Sequence, residues 1–138
     1  MREKLPDRRR NWTQTVRIGG QTFHMTVGEY SDGRPGEVFL NVNKQGTFTC
    51  GILDSLARNI SLSLQNGTSL EDIAKVNQLL NFPPNGEVTG SKNVTQATSA
   101  VDWISQELYA TYCSGKVPEP MKEEKSAGYI SESWRTGV

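Results

Sequence analysis

The hydrophobic period of this chain changes once, close to residue 47, and that change sets its fold class. Up to Val42 the apolar residues alternate. Val16 and Ile18 share one side, Phe23, Met25 and Val27 share another, and Val38, Leu40 and Val42 a third. A period of two marks strands with one buried face. From Phe48 the recurrence is every four residues, through Ile52, Leu56, Ile60 and Leu64, with Leu53 and Ala57 alongside. That spacing predicts an amphipathic helix lying on the sheet. Strands followed by helices give an α+β fold. The expected form is a small antiparallel sheet, an N-terminal hairpin plus a third strand, packed against three helices and followed by a flexible C-terminal tail.

Local signals place the elements. TQTVRI (13–18) and QTFHMTVG (21–28) flank Gly19-Gly20, the pattern of a tight hairpin. SDGRPG (31–36) reads as a loop and EVFLNVN as the third strand. Gly67 is a natural stop for the first helix. Ser69, followed by Glu71 and Asp72, reads as the N-cap of a second helix lined by Ile73, Val76, Leu79 and Leu80. Pro83 and Pro84 forbid its continuation. A third helix is expected from about Asn93 to Cys113, with Ala97, Val101, Ile104, Leu108 and Tyr112 as its apolar stripe. The resulting division is a basic arm (1–12), one α+β domain (13–113) and a tail (114–138). The tail is rich in Gly, Pro, Ser, Lys and Glu, a composition of unstructured segments. Tyr129, Ile130 and Trp134 are out of keeping with it and suggest docking on this chain or a second copy.

Charge and composition exclude several function classes. The 138 residues carry 15 basic and 15 acidic side chains, so no basic surplus points to nucleic acid. The arm is the local exception, with five basic and two acidic residues in its first ten. It is either a solvated arm or one that closes over an anionic ligand or partner, and nucleic-acid binding through Arg8, Arg9 and Arg10 is the least favoured use. Cys50 and Cys113 stand far apart with no Cys/His ligand set, which argues against zinc and fits a reducing cytoplasm. No apolar run reaches membrane-spanning length, and no signal-peptide core opens the sequence. His24 is the only histidine and has no partner at a catalytic spacing. No nucleophile elbow, Walker loop or dinucleotide fingerprint occurs. The chain is therefore expected to be non-enzymatic, with no cofactor and no metal.

Binding is the function class that these residues leave open. In NVNKQGTFTCG (41–51) a strand meets a helix N-terminus, where free N–H groups and the positive end of the dipole favour anions. Lys44, Gly46, Thr47 and Thr49 gather there, so the segment is either a phosphate cradle or only a turn. Arg34 and Arg58 are candidates for charge-assisted bonds to phosphate. Arg58 can equally pair with Asp54 one turn earlier. Phe82 either stacks on a base or plugs the core, and Asn93 is a candidate for reading a base or ribose. Together these residues would hold a phosphorylated nucleotide-type ligand.

The segments KLPDRRRNWTQTVRIGG, GEYSDGRPGEVFLNVNKQGTF, ARNISLSLQNGTSLEDI and ATSAVDWISQELYATY carry a resemblance. In this order, from Lys4 to Cys113, they resemble the C-terminal TSCPD-type module of adenosylcobalamin-dependent (class II) ribonucleotide reductases. The resemblance implies the module's fold and a reductase chain as a partner. It does not imply ribonucleotide reduction, because the catalytic barrel and the cysteine-rich reductase tail have no counterpart in this sequence. In size and in its sheet-plus-helices plan the chain is also similar to phage anti-defence sponge proteins such as the Thoeris anti-defence family. That comparison would imply sequestration of cyclic nucleotide or cyclic ADP-ribose signals in a host cytoplasm. Under either resemblance, the open edges of a three-stranded sheet suggest a homo-oligomer.

Overall fold

A computed structural model describes residues 2–42 and 47–113. The element order is β1 (Asn11–Ile18), β2 (Gln21–Glu29), β3 (Pro35–Val42), α1 (Thr47–Gln65), α2 (Leu70–Asn77), β4 (Gly86–Thr89), β5 (Gln96–Ala97) and α3 (Ala100–Tyr112). The strands form one antiparallel sheet in the order β3-β2-β1-β4-β5. Gly19 and Gly20 both have positive φ, +56° and +84°, as a two-residue hairpin turn matching the strand twist requires. Ile18 consequently faces Gln21 and Val16 faces Phe23.

The alternation read from the sequence is the alternation of burial. Val16, Ile18, Phe23, Met25, Val27, Val38 and Val42 are buried on one face, against Leu53, Ile60 and Leu64 of α1, Ile73 of α2, and Trp103, Ile104 and Leu108 of α3. The opposite face is polar and zipped by cross-strand pairs: Thr13 with Thr26, Thr15 with His24, and Arg17 with Thr22, each at 2.9 Å.

Three expectations need correction. Among the described residues the sheet has five strands, not three. β4 buries only Val88 and β5 only Ala97, so neither is long enough to display an alternation. The third helix starts at Ala100 rather than at Asn93. Ser99 caps it by accepting a hydrogen bond from the Asp102 N–H, and Ala97, at helical spacing from Val101, sits in β5. The second helix ends at Asn77, so Leu79 and Leu80 lie beyond it; Leu79 has a positive φ of 64°.

The α1 stripe also divides. Successive residues in an α-helix turn by about 100°, so each i to i+4 step rotates about 40°. The row Phe48, Ile52, Leu56, Ile60, Leu64 therefore winds almost halfway round the helix. Ile60 and Leu64 reach the core with Leu53 and Ala57, while Phe48 is 78% and Ile52 53% exposed. Gly67 closes α1 as expected, with φ +94° and the Thr68 N–H donating to the Ser63 carbonyl.

Helix α1 also covers the β3 edge. The Val38 N–H donates to Ser61 Oγ (2.8 Å), and Gln65 Nε2 donates to the Gly36 carbonyl (2.9 Å). Polar groups that a neighbouring strand would otherwise pair are met within the chain. The arm is tied to the same end: the Glu3 N–H donates to the Gln65 carbonyl, and the Tyr30 hydroxyl donates to the Glu3 carbonyl.

Where α3 ends, Trp12 Nε1 donates to the Tyr112 hydroxyl, which donates to a Glu29 carboxylate oxygen. Burial, then the Glu29 bond, pushes the Tyr112 phenol above its ordinary value, against a smaller lowering by Trp12. A raised folded-state pKa contributes stability that is full below the unfolded value, about 10, and is lost as pH rises beyond it. Stability should therefore fall above pH 10. Tyr112→Phe should flatten that fall in chemical denaturation at stepped pH, leaving the smaller share of Tyr30, which burial also raises.

Candidate functional site

The residues expected to hold a phosphorylated ligand do not share one cavity. Lys44 and Gly46 lie outside the described residues, and Thr47 is the first residue of α1. Arg34 stacks on Tyr30 at 4.6 Å and is bonded to Asp32 (2.8 Å) and Glu3 (3.2 Å). The Arg34 hydrogen bond holds the Asp32 carboxyl below the usual carboxylate range. Arg58 pairs with Asp54 at 2.9 Å, one turn earlier on α1. Asn93 Nδ2 donates to Glu107 Oε2. Phe82 alone of the set lines a distinctly apolar cavity, with Phe48, Ile52, Leu56 and Pro83.

That cavity, ≈310 Å3, lies between the first half of α1 and the 79–84 loop, with Val101 of α3 on its wall. Phe48 and Ile52 reach it because the α1 row winds away from the core. The loop is held firmly from behind. The Phe82 N–H donates to the Thr98 carbonyl, and Thr98 Oγ1 donates to the Leu80 carbonyl. The Leu79 N–H donates to Asp102 Oδ1 at 2.6 Å. Leu79, Leu80 and Phe82 are thus displayed at 51%, 45% and 42% exposure on a braced loop, and Leu79 holds a backbone conformation that costs a non-glycine residue energy. A fixed apolar rim of this kind fits a partner's side chains better than a phosphate.

Two buried carboxylates lie on α3, and reading the sequence alone missed both: Asp102 braces this loop, and Glu107 ties the 91–93 segment to α3. Asp102 also accepts from the Thr98 N–H and from Gln106 Nε2. Glu107 accepts from Ser91 Oγ, Trp103 Nε1 and Asn93 Nδ2. With three donors each, the buried carboxyl groups of Asp102 and Glu107 are hydrogen-bonded rather than left unpaired. The signal for Asp102 was present as Ser99-x-x-Asp102, a capping pattern that marks the true start of α3. Among the described residues, no group of three or more His, Cys, Asp or Glu side chains is placed to hold a metal ion, and no helix is long and apolar enough to cross a membrane.

The TSCPD domain family matches residues 1–112, four-fifths of the sequence and every element described above. The chain belongs to the TSCPD family. This TSCPD chain is 37% identical over 113 residues to a vitamin B12-dependent ribonucleotide reductase of Bradyrhizobium diazoefficiens, covering 82% of the chain and 9% of the relative. It is 38% identical over 111 residues to the Agrobacterium fabrum protein of that name, covering 80% and 9%. With the Rhodopirellula baltica protein the identity is 38% over 122 residues, covering 88% and 12%. The TSCPD chain thus spans about a tenth of the length of these relatives. No solved structure matches it.

Proposed function

We propose that this TSCPD chain is a non-enzymatic accessory module of a B12-dependent ribonucleotide reductase, working by protein contact in the cytoplasm. The observation that carries the proposal is the match itself. Proteins named as such reductases hold a segment alignable with four-fifths of this chain, and that segment is only 9–12% of their length. A small segment with its own core, beside a much longer polypeptide, is suited to docking.

The chemistry of the surface supports contact over nucleotide capture. Exposed aromatic and aliphatic anchors on a rigid frame are what protein interfaces use for affinity. Phe48, Ile52, Leu79 and Phe82 provide such anchors. The cations proposed for phosphates, Arg34 and Arg58, already face carboxylates, which weakens the positive potential a phosphate would meet there. The relatives lend no support to sequestration of an immune signal, to a phage origin or to a homo-oligomer.

The test is association with a B12-dependent reductase polypeptide from which the matching segment has been removed. Co-purification of the two as a stable complex is the expected result. Failure to associate at any ratio, with both partners folded, would reject the proposal.

A further inference from the structure

We infer that the start of β1 is an open sheet edge on which a second copy of this chain pairs its own β1. The inference concerns the free chain and does not rest on the reductase proposal.

Backbone parity identifies the edge. Ile18 and Gln21 close the two-residue hairpin as a hydrogen-bonded pair, so Val16, Gln14 and Trp12 also turn their N–H and C=O groups toward β2. Asn11, Thr13, Thr15 and Arg17 turn theirs the other way, toward β4. Three contacts agree. The Arg10 carbonyl, of the first parity, accepts from the Glu29 N–H of β2. The Thr15 carbonyl accepts from Gln14 Nε2, which also bonds the Gly90 carbonyl. A Cβ at Gly90 would lie 2.8 Å from the Thr15 carbonyl oxygen.

Strand β4 covers only the far end of this edge. It pairs Thr89 with Arg17 and Val88 with Ile18. Past Gly90, at φ +105°, the chain is drawn instead to α3, where Ser91 bonds Glu107. Among the described residues, nothing bonds the outward N–H and C=O groups of Asn11 and Thr13, and both residues are exposed. The β3 edge, by contrast, is met by Ser61 and Gln65.

A bare edge is a template for another strand, and this one matches its own copy. Gln14 and Gly90 already occupy the Thr15 carbonyl, which leaves Asn11 and Thr13 to pair. With Trp12 opposite Trp12 of the second copy, Asn11 of each chain faces Thr13 of the other, and each such pair exchanges both backbone bonds. Trp12 is half-buried against Tyr112, with 6.3 Å between ring centroids. Across the two-fold axis it meets the second indole in a non-hydrogen-bonded pair, where side chains come closest. No residue from 11 to 16 is charged, so the paired segments do not repel. The arms do not obstruct. Arg9 is drawn to Glu37 on β3, on the far side of β2, so each chain leaves the shared edge at Arg10 before it reaches Gly90 of the other.

Sedimentation of the full chain from micromolar to millimolar concentration tests this. Monomer should give way to dimer as concentration rises. Amide exchange at Asn11 and Thr13 should slow with it, while exchange at Leu79 and Phe82 stays as it was. Asn11→Lys combined with Thr13→Lys should remain monomeric, since like charges then face each other in both pairs. Asn11→Glu combined with Thr13→Glu should do the same. Mixing the two variants should restore the dimer, a result that damage to the fold would not give. A chain that stays monomeric throughout the series would overturn the inference. So would a dimer that survives in either doubly substituted chain, a dimer that leaves Asn11 and Thr13 unprotected, or a mixture of the variants that fails to associate.

Discussion

A Trp103→Ala chain should lose about 3–5 kcal/mol of folding free energy. Trp103 is fully buried, stacked at a tilt on Phe23 with 6.4 Å between ring centroids, and it bonds Glu107 through Nε1 at 3.0 Å. Truncation removes the largest fully buried side chain among the described residues, opens a cavity between sheet and α3, and takes one of three donors from a buried carboxylate. A domain of this size is stable by only about 5–15 kcal/mol, so the midpoint in urea should fall steeply. Trp103→Phe separates the two causes: it keeps most of the volume but lacks the N–H, and should cost less than half as much. A loss below about 1 kcal/mol for the alanine variant would mean that α3 is not braced against the sheet as described.

Asp102→Ala should cost about 3 kcal/mol, because it strips acceptors from two backbone N–H groups and one amide at a buried position. Its second effect bears on function. Without Asp102 nothing holds the Leu79 N–H, and a leucine at φ 64° has reason to relax. Backbone exchange at Leu79, Leu80 and Phe82 should rise by more than the global loss of stability explains. Asp102→Asn should not restore protection, since its amide nitrogen would face one of the same donors. Unchanged exchange in either variant would show that the loop is held from elsewhere.

How much of this was legible in the sequence depends on which residue faces which. The hairpin, the third strand and the Ser69 cap were readable because each has a local cause: paired glycines, period-two apolarity, a capping side chain. β4 and β5 were not, because two to four residues cannot show a period. Phe48 and Ile52 looked like core because an i, i+4 row seems to run along one face, while geometry turns it about 40° per step. Leu79 and Leu80 continued a helical spacing past the helix's actual end. The first of these misreadings hid the apolar cavity, since Phe48 and Ile52, assigned to the core, line it. Asp102 and Glu107 went unnoticed for a different reason: their role depends on donors distant in sequence, Leu79 and Ser91, that only the fold brings together. Within the expected phosphate cradle at 41–51, residues 43–46 lie outside those described, so Lys44 and Gly46 remain positions for mutational tests of a nucleotide ligand.

The central claim is that this TSCPD chain docks on a reductase polypeptide through its braced apolar rim. The most direct measurement is calorimetric titration of the chain, and of its Phe82→Asp variant, into the Bradyrhizobium diazoefficiens reductase lacking its own matching segment. Phe82 is 42% exposed, so the change should leave the fold intact. Binding by the unaltered chain, weakened at least about tenfold in the variant, is the predicted result. Absence of binding, or equal binding by both chains, would contradict it.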